Sequence, residues 1–327
     1  MALEYTTYHL ELRPRQSIRL PEFAGSLVRG TFGKALRELT CATRAPTCAD
    51  CALAAACVYR EVFDPLPPAA HDLQRFSAIP APYVLHLSDW GEQLIEAGTS
   101  FCFGITLIGR KRRHLPLVLL ALQRAASAGW TRANTRFDLH RVTASSEAGQ
   151  IVVLQPGAHA LLPHGATATL TAATVERAMQ KASTSIRLAV ELLTPARLQQ
   201  EGRPARAGEL QARTWLMAVI RRIGLLADFH GEAALPIDFR RLAALAEQCA
   251  IVEHELRWHD WDRYSGRQKQ VMPMGGLVGR MRIEGPLAPF LELVQLAAPL
   301  HAGKHAAFGL GAYLVSVPEL PSGGQRR

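Results

Sequence analysis

Lysine, aromatic residues and long apolar runs are all scarce in this chain. Lys34, Lys111, Lys181, Lys269 and Lys304 are the only lysines among 37 basic residues. Arginine therefore carries most of the positive side of a formal charge of +9, and its planar fork grips phosphate bidentately and stacks on bases. That balance favours an anionic partner, nucleic acid before membrane. Aromatics make up 7% of the chain, and an apolar stretch such as Leu115–Leu122 is far too short to span a bilayer. Met1–Gln16 is polar and alternating, unlike a secretory signal, so a cytoplasmic location is expected. With 48% hydrophobic and 20% charged residues, the 327-residue composition excludes a disordered chain and suggests two domains, each with its own core.

Tyr8, Leu10 and Leu12 alternate with Thr7, His9 and Glu11, the period of a half-buried strand. Val28, Phe32, Ala35, Leu36 and Leu39 then share one helical face. The opposite face carries Ser26, Gly30, Gly33, Lys34 and Arg37, where small residues and cations allow close approach by a strand or a phosphate backbone. Tyr83–Leu87 and Phe101–Ile108 read as strands, Leu115–Ala126 as a helix and Arg136–Val142 as a closing strand. This order is the ferredoxin-like βαββαβ arrangement, also used by RNA-recognition modules. The second half repeats it. Ile186–Leu192 alternates, Leu216–Ala227 carries a helical stripe, Val252–Trp258 and Gly275–Glu284 are strands, Leu287–Val294 is a helix and Ala312–Val317 a last strand. The expected fold is α+β, with two tandem ferredoxin-like domains. Residues 1–150, with a Cys-rich insertion at about 41–57, form the first, and residues 184–318 the second. A junction at 151–183 joins them, and 319–327 is a flexible tail. Cys102, Cys249, Trp258 and Trp261 read as packing groups.

Between the last helix and last strand lies His301-Ala-Gly303-Lys304-His305-Ala-Ala-Phe308-Gly309-Leu310-Gly311. Glycine permits sharp turns and close approach, successive backbone amides beside a lysine can seat a phosphate, and imidazoles titrate near neutral pH. The plainer reading is a glycine-rich connection with solvated cations. Arg110-Lys111-Arg112-Arg113 reads as a backbone track or as a solvated turn. Cys41-x6-Cys48-x2-Cys51-x5-Cys57 supplies four thiols that suit a structural zinc, with an iron–sulfur cluster or packing thiols as the alternatives. A four-thiolate shell leaves no open position for hydrolytic metal chemistry.

Three segments together resemble one family. The C-terminal loop resembles the Gly-rich signature of the RAMP superfamily. Arg263-Tyr264-Ser265-Gly266-Arg267-Gln268, followed by Met272-Pro273-Met274-Gly275-Gly276, resembles a segment just upstream of that loop in the sixth CRISPR-associated (Cas) protein family. Leu27-Val28-Arg29-Gly30-Thr31-Phe32-Gly33, with the four cysteines, resembles the N-terminal half of the same family. The resemblance implies a metal-independent endoribonuclease that cuts CRISPR precursor RNA within its repeats. Its 2′-hydroxyl attack leaves a 2′,3′-cyclic phosphate and a 5′-hydroxyl, and members often keep the product RNA inside an effector complex. A non-catalytic RNA-binding subunit of the superfamily is the alternative. No cofactor is expected for catalysis.

For that chemistry Lys304 is the expected cation, and His301 and His305 are the candidates for proton transfer. Expected RNA contacts are Arg29, Lys34, Arg37, Arg110, Lys111, Arg112, Arg113, Arg263, Tyr264, Arg267 and Gln268. Gly303, Phe308, Gly309 and Gly311 join them as the phosphate-holding turn. One departure from the family pattern stands out. Many members place a catalytic histidine in or just after the first helix, but Gly25–Pro46 contains none, and His9 is the nearest.

Overall fold

The computed structural model describes residues 1–48, 50–67, 79–87, 91–131, 133–265 and 270–317, without the side chains of 262–265 and 270–273. These residues form two compact units. The first comprises residues 1–170 together with 225–234 and 307–309; the remaining described residues form the second.

In the first unit, strand β1 (Ala2–Pro14) leads to helix α1 (Ala24–Thr40) and a short helix α2 (Val58–Val62). Strands β2 (Tyr83–His86) and β3 (Phe101–Ile108), helix α3 (Leu115–Ala128) and strands β4 (Phe137–Ser146) and β5 (Gly149–Leu154) follow. The sheet order is β2-β3-β1-β4-β5, antiparallel throughout. Its first four strands have the ferredoxin-like order, in which each helix crosses over one intervening strand. The anticipated faces close the core: Tyr8, Leu10 and Leu12 of β1 are buried with Val28, Phe32 and Leu36 of α1 and Val118, Leu119 and Leu122 of α3. Each such aliphatic side chain contributes roughly 1.5–3 kcal/mol on burial. Period-2 and period-3.6 patterns meet on one apolar layer.

The second unit repeats the order with strand β6 (Ile186–Ala196), helices α5 (Ala212–His230) and α6 (Phe239–Glu247), and strands β7 (Ala250–His254), β8 (Arg257–His259) and β9 (Gly276–Gly285). Helix α7 (Ala288–Leu296) and strand β10 (Tyr313–Ser316) complete it, and helix α4 (Ala172–Gln180) precedes β6. The sheet runs β7-β9-β6-β10, again the ferredoxin-like order. The stripe Leu216, Val219, Ile220, Ile223, Leu226 and Ala227 is buried, as are Leu277, Met281 and Ile283 of β9.

Three expectations change. The 151–183 segment is no bare junction: it carries most of β5, whose Val153 and Leu154 are buried, and α4, capped by the Thr171 hydroxyl accepting from the Thr174 amide at 3.1 Å. The strand expected over Val252–Trp258 is broken into β7 and β8, because Glu255 turns to donate its amide to the Arg280 carbonyl at 2.8 Å. Cys102 is exposed rather than packed, since it alternates outward between buried Phe101 and Phe103. The expected tail at 319–327 lies outside the described residues.

Candidate nucleic-acid interface

The glycine-rich turn begins where α7 gives way to a single tight turn over Ala298–Leu300. His301, Gly303, His305, Gly309 and Gly311 all have positive φ, of 58°, 87°, 65°, 95° and 74°. Glycine reaches this region without cost, and histidine is among the few side chains that enter it with any frequency. Gly311 is required: a Cβ there would lie 1.8 Å from the Ala302 carbonyl oxygen.

The turn's amides are not a vacant phosphate seat. Those of Ala302, Lys304 and Gly311 donate to the carbonyls of Gly311, Arg197 and Pro195 at 2.8, 3.0 and 3.1 Å. These three bonds close the turn on itself and on the end of β6, and they commit the Gly311 amide that the sequence reading had offered to a phosphate. The Arg222 side chain, half-buried on α5, donates from Nε to the Leu300 carbonyl at 2.5 Å, and desolvation pushes its guanidinium down to about 10. Sequence reading passed over Arg222 because it sits inside a helical stripe.

His301 is 3% exposed, and its Nδ1–H donates to the Leu310 carbonyl at 3.2 Å. The contact with a carbonyl commits Nδ1–H within the fold and holds the buried ring in one tautomer, where the sequence reading had assigned His301 to proton transfer. Lys304 is exposed and His305 half-buried, so of the three expected catalytic groups these two reach the surface. Arg197, half-buried, pairs with Lys304 through the backbone and donates from Nη1 to the Gly275 carbonyl at 3.1 Å. It was missed because nothing in a strand end signals proximity to a loop a hundred residues later.

In the first unit, the Arg29 guanidinium lies between two rings, 4.3 Å from the centroid of Phe63 and 4.2 Å from that of Phe308. Such a doubly stacked arginine clamps the two rings together, so Arg29 and Phe308, both expected to contact RNA, also contact each other. Gly33 makes room for the Phe63 ring, and a Cβ at Gly309 would lie 3.0 Å from the Leu85 carbonyl. Arg37 donates to the Ala45 carbonyl and, at 3.4 Å, to that of Pro46, so it holds the Cys-rich insertion instead of projecting outward. Lys34 is exposed, with Glu38 at 3.9 Å.

The basic run forms a tight helical turn, and three of its four cations are paired with two carboxylates. Lys111, Arg113 and His114 converge on Glu61 Oε2 at 2.8, 2.9 and 3.0 Å, while Arg112 pairs with Glu4 and donates to Thr167 at 2.9 Å. Burial would raise the Glu61 carboxyl, but these hydrogen bonds and the Lys111 charge overcome it and hold the group at about 2. Lys111, Arg112 and Arg113 are thus each paired with a carboxylate, with Arg113 still largely exposed, and Arg110 is exposed. Arg263 and Tyr264 lie on a strand, Asp262–Ser265, paired with Gln270–Pro273 in a hairpin, and Arg267 and Gln268 lie outside the described residues.

A second pair of imidazoles escaped the sequence reading. His9 and His86 lie on either side of Gly104 in the register of β1, β3 and β2. His9 Nε2 is hydrogen-bonded to Ser145 Oγ at 2.8 Å, and His86 Nε2 to Thr106 Oγ1 at 2.7 Å. Burial, then the neighbouring His9, lowers His86 to about 4.

The four cysteines of the insertion are free, half-buried thiols that line one small cavity with Thr43 and Arg37. The Thr43 hydroxyl lies 3.8 Å from Cys41 Sγ and 3.6 Å from Cys51 Sγ, and its hydrogen bond draws the Cys41 thiol below its ordinary value. No group of three His, Cys, Asp or Glu side chains among the described residues is arranged to hold a metal ion. Among these residues no helix is long and apolar enough to cross a membrane.

Residues 190–313 match the family model of the CRISPR-associated endoribonuclease Cas6, and residues 3–166 match an N-terminal-domain model, AF_1859_N. No curated protein matches the chain. A chain of a partial Cas6-RT-Cas1–Cas2 complex is 12% identical across 97% of this chain and 46% of its own, with a TM-score of 0.56. This chain thus spans less than half of that larger protein. A Cas6 product complex is 18% identical over 97% of this chain and 100% of its own, with a TM-score of 0.50. Thermus thermophilus Cas6 is 13% identical over 96% and 99%, also at 0.50. Identities this low speak to the fold alone, and that fold is the paired ferredoxin-like architecture shared with these Cas6 structures. The match to the Cas6 endoribonuclease model thus covers the C-terminal part of the chain, and the N-terminal part matches the AF_1859_N domain.

Proposed function

We propose that this protein cleaves CRISPR repeat RNA in precursor transcripts without a catalytic metal and keeps hold of the product. The observation that carries this reading is the Cas6 match over residues 190–313, whose glycine-rich turn presents Lys304 at the surface beside half-buried His305. The ribose 2′-hydroxyl attacks the adjacent phosphorus, the 5′-oxygen leaves with a proton, and a 2′,3′-cyclic phosphate and a 5′-hydroxyl result. Lys304 stabilises the negative charge that grows on the phosphorane, and His305 moves the proton. Arg197, Lys34 and Arg110 supply further cations for the phosphate backbone. Solved Cas6 proteins have been captured in a product complex and in a Cas6-RT-Cas1–Cas2 assembly, which supports repeat RNA and other CRISPR proteins as partners.

The burial of His301 and the lack of histidine in α1 favour a second reading, a non-catalytic RNA-binding subunit. One experiment separates them. Protein is mixed with repeat RNA in EDTA, beside a substrate with 2′-deoxyribose just 5′ of the cut. Cleavage of the all-ribose RNA alone is expected. Cleavage of both removes the proposed chemistry, and binding without cleavage of either selects the scaffold.

A further inference from the structure

We propose that Arg222 is a phosphate-binding residue: its Nε holds the start of the glycine-rich turn, and its two Nη groups grip a backbone phosphate of the bound RNA. This site rests on the RNA-processing function proposed above and names one contact within it. Arg222 lies on α5 between Ile220 and Ile223, both buried, and is itself half-buried. Its Nε–H donates to the Leu300 carbonyl at 2.5 Å, and Leu300 directly precedes His301 and the turn that carries Lys304. A guanidinium has five N–H donors in a planar fork. One is used here. Among the described residues Nη1 and Nη2 make no hydrogen bond, and neither is sealed from solvent.

The acceptor is as informative as the free donors. Three half-buried cations of the first unit are met by carboxylates: Arg60 by Asp64, Lys111 by Glu61 and Arg112 by Glu4. The two half-buried arginines tied to the glycine-rich turn are held by main-chain carbonyls instead. Arg222 is held on Leu300, and Arg197, whose own carbonyl accepts from the Lys304 amide, is held on Gly275. A carboxylate would cancel an arginine's charge, whereas a carbonyl fixes its direction and leaves the charge for a ligand.

The electrostatics point the same way. Desolvation disfavours the charged guanidinium and pushes Arg222 down to about 10, with Tyr313 acting in the opposite sense. An anion set against the two Nη groups offsets that penalty. RNA is the anion favoured here, because Lys304 is exposed on the same turn and the chain carries a formal charge of +9. The two unbridged oxygens of a phosphodiester match the arginine fork. A helix-end cap, by contrast, would need the Nε contact alone.

The test titrates the full chain with single-stranded repeat RNA, made uncleavable by one 2′-deoxyribose, across a range of salt. Arg222→Met should weaken binding about tenfold, the loss of one charge-assisted pair. It should also reduce the log–log salt slope by about 0.7, and Arg222→Lys should recover that slope. Urea titrations of the same variants read the structural role separately. A lower midpoint with unchanged affinity and slope makes Arg222 a helix-end cap and overturns the proposal. Should Arg222→Met fail to fold, the unaltered chain decides. With RNA at about ten times its Kd, modification of Arg222 by an arginine-specific dicarbonyl should slow roughly tenfold by mass action, read by peptide mass spectrometry. Equal rates with RNA bound overturn this site alone. An unaltered chain that binds no repeat RNA overturns the RNA-processing function with it.

Discussion

At the scale of the residue, His301 and Lys304 sit three positions apart and face opposite demands. Lys304 is exposed, so Lys304→Ala should lower the cleavage rate about 10²–10³-fold, as loss of a charge-stabilising group does. The denaturant midpoint should barely move, and Lys304→Arg should recover part of the rate. A single-turnover assay beside a urea titration reads both. His301→Ala should do the reverse. It strands the Leu310 carbonyl in a buried site and should cost about 1–3 kcal/mol of stability, while the pKa values of the pH–rate profile stay in place. A shifted profile in His301→Ala would return that imidazole to the chemistry.

At the scale of the element, the turn after β3 and helix α2 are tied through Glu61, strands β2 and β3 through His86, and strands β1 and β4 through His9. The two groups predict separate pH windows. Glu61 is depressed to about 2 from an ordinary 4.5, so its contribution is complete above about pH 4.5 and is lost as pH falls toward 2. His86 is depressed to about 4 from 6.5: it folds neutral, and protonation favours the unfolded chain. Its contribution is therefore complete above pH 6.5 and lost as pH falls from 6.5 toward 4. Urea titrations across pH should show both declines, with Glu61→Gln removing the lower and His86→Gln the upper.

At the scale of the whole molecule, a formal charge of +9 directs the chain toward polyanions, but paired cations do not add to the grip. RNA affinity should fall with salt, and each lost phosphate contact should reduce the log–log slope by about 0.7 for single strands. Lys304→Ala should show that reduction. Lys111→Ala should not, because its ammonium is committed to Glu61; it should lower stability instead. Equal slopes for wild type and Lys304→Ala would remove Lys304 from the phosphate path.

The fold was legible in the sequence because periodicity is a local property. The alternation in β1, the stripes of α1, α3 and α5, and the order of elements in both halves can be read within windows of a few turns or strands. What escaped was weakly periodic or short, namely α2, α4, α6 and β5. Residue types also singled out the glycine-rich turn as the candidate site. Their roles did not follow, because burial and pairing depend on residues far along the chain. Only the tertiary structure placed the Leu310 carbonyl on His301, the carbonyl of Arg197 on the Lys304 amide, Glu61 among the cations of the basic run, and Phe63 and Phe308 around Arg29. Composition gives a chain its cations; long-range packing decides which of them remain available to bind RNA.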